Sequence, residues 1–180
     1  MMNLYLPYSL TIDGEEYAIR TNWQAIVEIF GALQDVELSK EERLYVMLGI
    51  LYKKIPNNIE QAIEQAMWFI SAGSNAPKQK KPHIVDWEQD INLILAPIAK
   101  AIGYDPRSKD DMHWWTFLTL YTDMGECVFQ KVLSIRMQLA MGKTLSKEDR
   151  EFYNQHRDIC DIRQRYTTEE KEFMKNWGIK

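Results

Sequence analysis

The sequence predicts a mainly α protein, a helical bundle in two halves that carries a small N-terminal β-hairpin. Three observations support this fold class. Apolar residues recur at helical spacing through most of the chain. One short stretch instead alternates apolar and polar residues around the turn dipeptide Asp13-Gly14. A stretch rich in proline, lysine and small residues, from Ser71 to Pro82, separates two groups of predicted helices.

The hairpin is predicted around Asp13-Gly14, because this dipeptide readily adopts the positive φ angles of a tight turn. Two strands alone are not stable in water, so the hairpin must pack against helices. The alternating apolar residues that would face those helices are Leu10, Ile12, Tyr17 and Ile19.

Three helices are predicted next. Asn22 can cap the first, which Gly31 is expected to end. Ser39 and Glu42 have the spacing of a capping box ahead of the second. The third follows Asn58 and has the i, i+3, i+4, i+7 pattern of an amphipathic helix, with Ile59, Ala62, Ile63, Ala66, Met67 and Ile70 as its apolar positions.

A long helix opens the second half. Asp86 is its predicted N-cap, and Gly103 followed by Pro106 should end it. Pro97 lies inside and should bend the helix, since proline cannot donate to the carbonyl of Leu93. We therefore divide the chain into a hairpin plus three-helix unit (1–72), a linker (73–83), a central helical unit (84–145) and a charged C-terminal helical region (146–180).

Composition argues against several classes of protein. With 22 basic and 26 acidic residues the net charge is −4, which does not favour a nucleic-acid partner. The densest basic stretch, Lys78 to Lys81, is interpreted as a solvated loop. No apolar run is long enough to span a membrane, and Met1 to Leu10 lacks the features of a signal peptide. The isolated Cys127 and Cys160 indicate reduced thiols of a cytoplasmic protein.

An acidic set is the best candidate for catalysis. Carboxylates and a histidine could bind Mg²⁺ or transfer protons, and the set comprises Asp86, Glu88, Asp90, Asp110, Asp111 and His113. Helix geometry favours a structural role, because Asp86 suits an N-cap and Glu88 points away from Asp86 and Asp90. We expect no enzyme activity, no catalytic residue, no metal site and no cofactor.

Aromatic residues are interpreted in two ways. Trp87, Trp114, Trp115 and Phe117 are expected in the core, although tryptophans can also line a ligand pocket. A short C-terminal helix follows a predicted capping box at Thr167 and Glu170. It has too little sequence around it to bury its own apolar side chains, so these could bind a partner. They are Phe173, Met174 and Trp177.

The chain resembles the bacteriophage Gp-fifteen family from the hairpin to about residue 160. Two motifs carry most of the resemblance: Asp86-Trp87-Glu88-Gln89-Asp90 at a helix start, and His113-Trp114-Trp115-Thr116-Phe117. The hairpin, the first aromatic helix and the region Ser134-Ile135-Arg136 match in order, whereas the charged C-terminal part departs from the family pattern.

The resemblance implies a setting in phage tail morphogenesis. Members of this family are usually encoded close to the tape-measure gene, which implies a tail-assembly chaperone that binds the tape-measure protein in the host cytoplasm and is absent from the mature virion. Self-association is a further expectation. Two alternatives stay open, a structural tail or connector component of the virion and, more remotely, a small metal-dependent enzyme.

Overall fold

The computed structural model describes residues 5–74, 82–109 and 111–177. Within these ranges the chain forms one two-stranded antiparallel hairpin and nine α-helices, which confirms the mainly α class. Most of the predicted linker, including Lys78 to Lys81, lies outside the described residues. The chain divides into two compact units: unit 1 is Met1–Gly73 with Gln164–Lys180, and unit 2 is Ser74–Arg163.

The elements follow one another with short connections. In chain order they are β1 (Ser9–Ile12), β2 (Glu15–Ala18), α1 (Trp23–Gln34), α2 (Lys40–Leu51), α3 (Ile59–Ile70), α4 (Trp87–Ile102), a 3-10 turn (Pro106–Ser108), α5 (Trp114–Thr122), α6 (Val128–Ala140), α7 (Lys147–Gln155), α8 (Arg157–Cys160) and α9 (Thr168–Asn176). None of the described helices combines the length and hydropathy needed to cross a bilayer.

The hairpin of unit 1 turns at the predicted dipeptide. Asp13 and Gly14 have φ angles of 51° and 83°, the left-handed values of a tight hairpin turn. The turn is tied to the start of α3: the Asn58 side-chain amide donates to Asp13 Oδ1 at 2.9 Å, and the Asp13 amide donates to Gln61 Oε1 at 2.7 Å. These bonds fix the hairpin on the helices, as its small size requires.

The core of unit 1 lies where one face of the hairpin meets α1, α2 and α3. Arg20 joins strand and helix, because its guanidinium donates to the carbonyls of Gly49 and Ile50 near the end of α2. Those carbonyls have no intrahelical partner, so a cation there is favourable. The largest fully buried side chains are Ile12, Ile26, Ile29, Met47, Leu48, Leu51, Tyr52 and Phe69.

Helix boundaries in unit 1 match the sequence with one exception. The capping box of Ser39 and Glu42 is present, which confirms that prediction. The expectation that Gly31 ends the first helix is wrong, because α1 continues to Gln34. Ala32, Leu33 and Gln34 are strong helix formers and carry the helix past the glycine.

Unit 2 is built around α4. Asp86 caps its start and Gly103, with φ 80°, ends it in the left-handed conformation, as predicted. Pro97 lies within the helix. The buried face of α4 presents Ile94, Leu95 and Ile98. Below it, Val132, Ile135 and Cys160 form a cluster onto which Leu93, Leu145, Phe152, Tyr153 and Ile159 pack.

Candidate functional site

The first sequence motif, residues 86–90, begins α4. Asp86 is the N-cap, and its Oδ1 accepts from the amides of Glu88 at 3.1 Å and Gln89 at 3.0 Å. These amides have no carbonyl partner inside the helix, so the carboxylate satisfies them and interacts favourably with the helix dipole. Asp86 therefore has the structural role that its position predicted.

Asp90 forms a buried ion pair with Arg136 of α6. Arg136 Nη1 lies 2.6 Å from Asp90 Oδ2, and Nη2 lies 2.9 Å from Oδ1. Asp90 is completely buried and the Arg136 side chain is 3% exposed. Asp90 Oδ2 also accepts from the Asp86 amide at 3.0 Å, so both ends of the motif join in one network. A planar guanidinium suits such a two-point contact.

The remaining donors of Arg136 bind backbone carbonyls. Nη1 donates to Ile84 at 2.9 Å, Nη2 donates to Ile159 at 2.7 Å and Nε donates to Cys160 at 2.9 Å. All five N–H groups of the guanidinium thus have acceptors, which is what a buried arginine requires. One side chain thereby connects the approach to α4, the middle of α6 and the end of α8.

Gln89 extends the network to the end of unit 2. Its Nε2 donates to the Asp161 carbonyl at 2.8 Å, and its Oε1 accepts from the Arg163 amide at 3.0 Å. Together Gln89 and Arg136 bind the carbonyls and amide of residues 159–163. Burial raises the pKa of the Cys160 thiol in this segment.

The second motif, residues 113–117, begins α5 and contacts Trp87 through Trp114. His113 is the N-cap of α5, and its Nδ1 accepts from the Trp115 amide at 3.1 Å. Ring centroids of Trp87 and Trp114 are 5.9 Å apart, and those of Trp114 and Phe117 are 5.6 Å apart. These separations are typical of favourable aromatic pairs. Trp114 and Phe117 are buried, whereas Trp87 and Trp115 are half-buried.

Tyr121 completes this aromatic cluster. Its ring centroid is 5.4 Å from that of Trp87 and 5.9 Å from that of Phe129. Burial, and to a lesser extent the charge of Asp90, raises the pKa of the Tyr121 hydroxyl. The two motifs of the sequence therefore meet through Trp87, and their side chains build the interior of unit 2.

The acidic set proposed for catalysis is separated by these contacts. Asp86 and Asp90 are buried and bonded within the protein, whereas Glu88 and Asp111 are exposed. Asp110 lies outside the described residues. Within the ranges that the structure describes, no group of three or more His, Cys, Asp or Glu side chains could hold a metal ion.

An apolar groove lies on the solvent side of α4. We define the α4 groove by its lining residues, Leu93, Ala96, Pro97, Lys100, Ala101, Met124, Glu126, Cys127 and Val128. Its volume is about 660 Å³. The α4 residues have i, i+3, i+4, i+7, i+8 spacing, so they share one stripe of the helix, and Leu93 at the edge of this stripe also packs on the buried cluster of unit 2. Val128 at the start of α6 is 52% exposed in the groove wall.

The predicted partner-binding residues lie in unit 1, Phe173 and Met174 on α9 and Trp177 at its C-cap. Its capping box of Thr167 and Glu170 confirms the predicted helix start, and Thr168 Oγ1 donates to Glu37 Oε1 at 2.7 Å. Phe173 is 56% exposed and Trp177 is 72% exposed, with ring centroids 5.6 Å apart, while Met174 is half-buried. The two aromatic rings form one exposed apolar surface on the helix.

No curated protein and no solved structure matches the chain. The family model described as Bacteriophage Gp15 protein matches residues 2–162, a range that includes both motifs and Arg136. The chain therefore belongs to the Bacteriophage Gp15 protein family.

Proposed function

We propose that this phage protein is a tail-assembly chaperone that binds the tape-measure protein of its own phage during siphophage tail morphogenesis. Membership of the Bacteriophage Gp15 family supports a phage role, and the gene neighbourhood implied by the resemblance supports the choice of client. The α4 groove is the observation on which the proposal depends.

A tape-measure chain requires a groove of this kind during assembly. Its long helices carry apolar faces that would aggregate before the tail tube surrounds them. A helix can lay such a face into an apolar groove. In the α4 groove Ala96 and Ala101 leave room for a client side chain, and Met124 supplies a flexible apolar contact. Of the described residues that line the groove, only Lys100 and Glu126 are charged.

The proposal places the protein in the host cytoplasm, bound to its client, and not in the mature virion. It assigns no catalytic residue and no cofactor. The main alternative is a structural tail or connector component. Purified virions distinguish these roles, because a chaperone is lost when the tail is complete, whereas a structural component remains in stoichiometric amounts.

Binding is tested with the full chain and apolar helical segments of the tape-measure protein from the same phage. Ala96→Arg places a long cation in the groove without removing a buried side chain, since Ala96 is exposed. We expect it to weaken binding by at least about tenfold. Ala140→Arg, on the exposed last residue of α6, is the matched control and should bind as the wild type does. Wild-type protein that binds no tape-measure segment would contradict the proposed function.

A further inference from the structure

The exposed face of α9 has the shape and charge of an occupant for the α4 groove. Glu169, Phe173 and Trp177 are spaced i, i+4, i+8 and therefore form one straight row on the helix. Leu93, Pro97 and Ala101 form a row of the same spacing in the groove. At 1.5 Å per residue, each row is about 12 Å long.

The side chains of the two surfaces also differ in size, as complementary packing requires. The α9 row ends in two large rings that are mostly exposed to water. The groove instead presents the small side chains Ala96 and Ala101 on α4, together with the larger Met124 and Val128. Large residues on one helix pack well against small residues on another, and aromatic anchors seated in pockets dominate the affinity of interfaces.

Charge complementarity fixes the direction of the contact. Among the lining residues that the structure describes, Lys100 is the only cationic side chain and Glu126 is the only anionic one. Glu169 stands at the acidic end of the α9 row, followed by the two apolar residues. Glu169 beside Lys100 pairs opposite charges and leaves the rings over the apolar part of the groove.

We propose that α9 of a second copy of this chain occupies the α4 groove when no client is bound. The protein then self-associates through contacts between α9 of one copy and unit 2 of another. Because the surfaces differ, each copy offers one donor helix and one receptor groove. If the groove also receives the tape-measure helix, a consequence that rests on the proposed function, that helix and α9 compete for it.

Two full-length variants test this pairing by sedimentation over a range of concentrations without any client. Phe173→Ala with Trp177→Ala removes the donor rings, and Ala96→Arg blocks the receptor groove. Each variant alone should associate at least about thirtyfold more weakly than the wild type. Ala140→Arg and Lys175→Ala, at exposed positions outside the groove and outside the α9 row, should associate as the wild type does.

Mixing the two variants is the decisive measurement. The Ala96→Arg copy keeps an intact α9 and the double variant keeps an intact groove, so the mixture should form a 1:1 heterodimer through one contact. A mixture that stays monomeric, variants that associate as the wild type does, or a wild type that is monomeric at all concentrations would overturn the proposal. Circular dichroism and unfolding curves show that each variant is folded.

This experiment separates the pairing from the proposed function. Self-association with no binding of tape-measure segments would support the pairing of α9 with the α4 groove and reject the chaperone role. Client binding by a wild type that never self-associates would support the chaperone role and reject the pairing of α9 with the α4 groove. If both hold, deletion of residues 167–180 should strengthen client binding, because the competing helix is gone.

Discussion

The carboxylate of Asp90 and the guanidinium of Arg136 form a two-point ion pair in the interior of unit 2, with N–O distances of 2.6 Å and 2.9 Å. The residues are 46 positions apart in the chain. Because Arg136 also binds three backbone carbonyls, the pair joins α4, α6 and the end of α8. Both sides of the pair lie within the range that matches the family.

Removing the cation from this pair should strongly destabilise the protein. In Arg136→Met the Asp90 carboxylate stays buried without its partner, and three carbonyls lose a donor. We expect the free energy of unfolding to fall by about 3–5 kcal/mol. Urea denaturation followed by far-UV circular dichroism measures the change.

An exposed ion pair provides the control. Arg107 and Asp105 lie 2.7 Å apart, with side chains 59% and 48% exposed. Water screens this pair, so Arg107→Met should leave the free energy of unfolding almost unchanged. If Arg136→Met is as mild as Arg107→Met, the buried pair is not what stabilises unit 2.

The roles of residues 86–90 could be predicted only in part from sequence. The N-cap at Asp86 follows from local rules, because its acceptors are the next few amides in the chain. The partner of Asp90 is distant in sequence and cannot be found from local spacing. A signal was nevertheless present: Asp90 lies four residues before Ile94 on the apolar face of α4, and Arg136 follows the buried Ile135. A charged residue in an apolar stripe indicates a buried partner.

The groove and the exposed α9 face show a second difference between sequence and structure. The sequence indicated Phe173, Met174 and Trp177 because a terminal helix has little around it to bury them. It did not indicate the α4 groove, since the wall contributed by Met124 and Val128 depends on how α5 and α6 pack against α4. Hydrophobic spacing identifies a face, whereas a groove is defined by two elements that are separate in sequence.

Trp114 should contribute more to stability than its neighbour Trp115. Trp114 is 1% exposed and packs on Trp87 and Phe117, whereas Trp115 is half-buried. Trp114→Ala leaves a cavity and should lower the free energy of unfolding by about 3–5 kcal/mol. Trp115→Ala should cost clearly less, because part of its surface already contacts water. Equal losses for the two variants in urea denaturation would contradict this assignment.

The free energy of unfolding should decrease with rising pH in the alkaline range because of Tyr52. Its hydroxyl is buried and donates to the Ala62 carbonyl at 2.9 Å, and burial raises the pKa of this hydroxyl well above its ordinary value. The unfolded chain loses this proton near pH 10, whereas the folded protein keeps it to higher pH. The free energy of unfolding therefore falls as the pH rises above about 10.

Tyr52→Phe tests the alkaline effect. The variant should lose about 1 kcal/mol at neutral pH with its hydrogen bond, but its free energy of unfolding should fall less steeply above pH 10. Tyr45→Phe makes the same chemical change at an exposed position and should keep the wild-type slope. Parallel slopes for Tyr52→Phe and the wild type would show that another group causes the alkaline loss.

Deleting residues 167–180 should leave the protein folded. No described residue of α9 is buried, and Thr168 at its start hydrogen-bonds to the exposed Glu37 of unit 1. We expect the free energy of unfolding to change by no more than about 0.5 kcal/mol. Urea denaturation of the truncated and full chains measures this, and a much larger loss would show that α9 stabilises unit 1.

Pro97 should make α4 less stable and the groove more effective. Proline cannot donate to the Leu93 carbonyl, and both residues line the groove. Pro97→Ala restores that hydrogen bond and a better helix former, so the free energy of unfolding should rise by about 1–3 kcal/mol. Loss of the proline ring would change the groove surface, and self-association measured by sedimentation should weaken. A Pro97→Ala protein that is less stable than the wild type would contradict this prediction and show that the surrounding packing requires the proline.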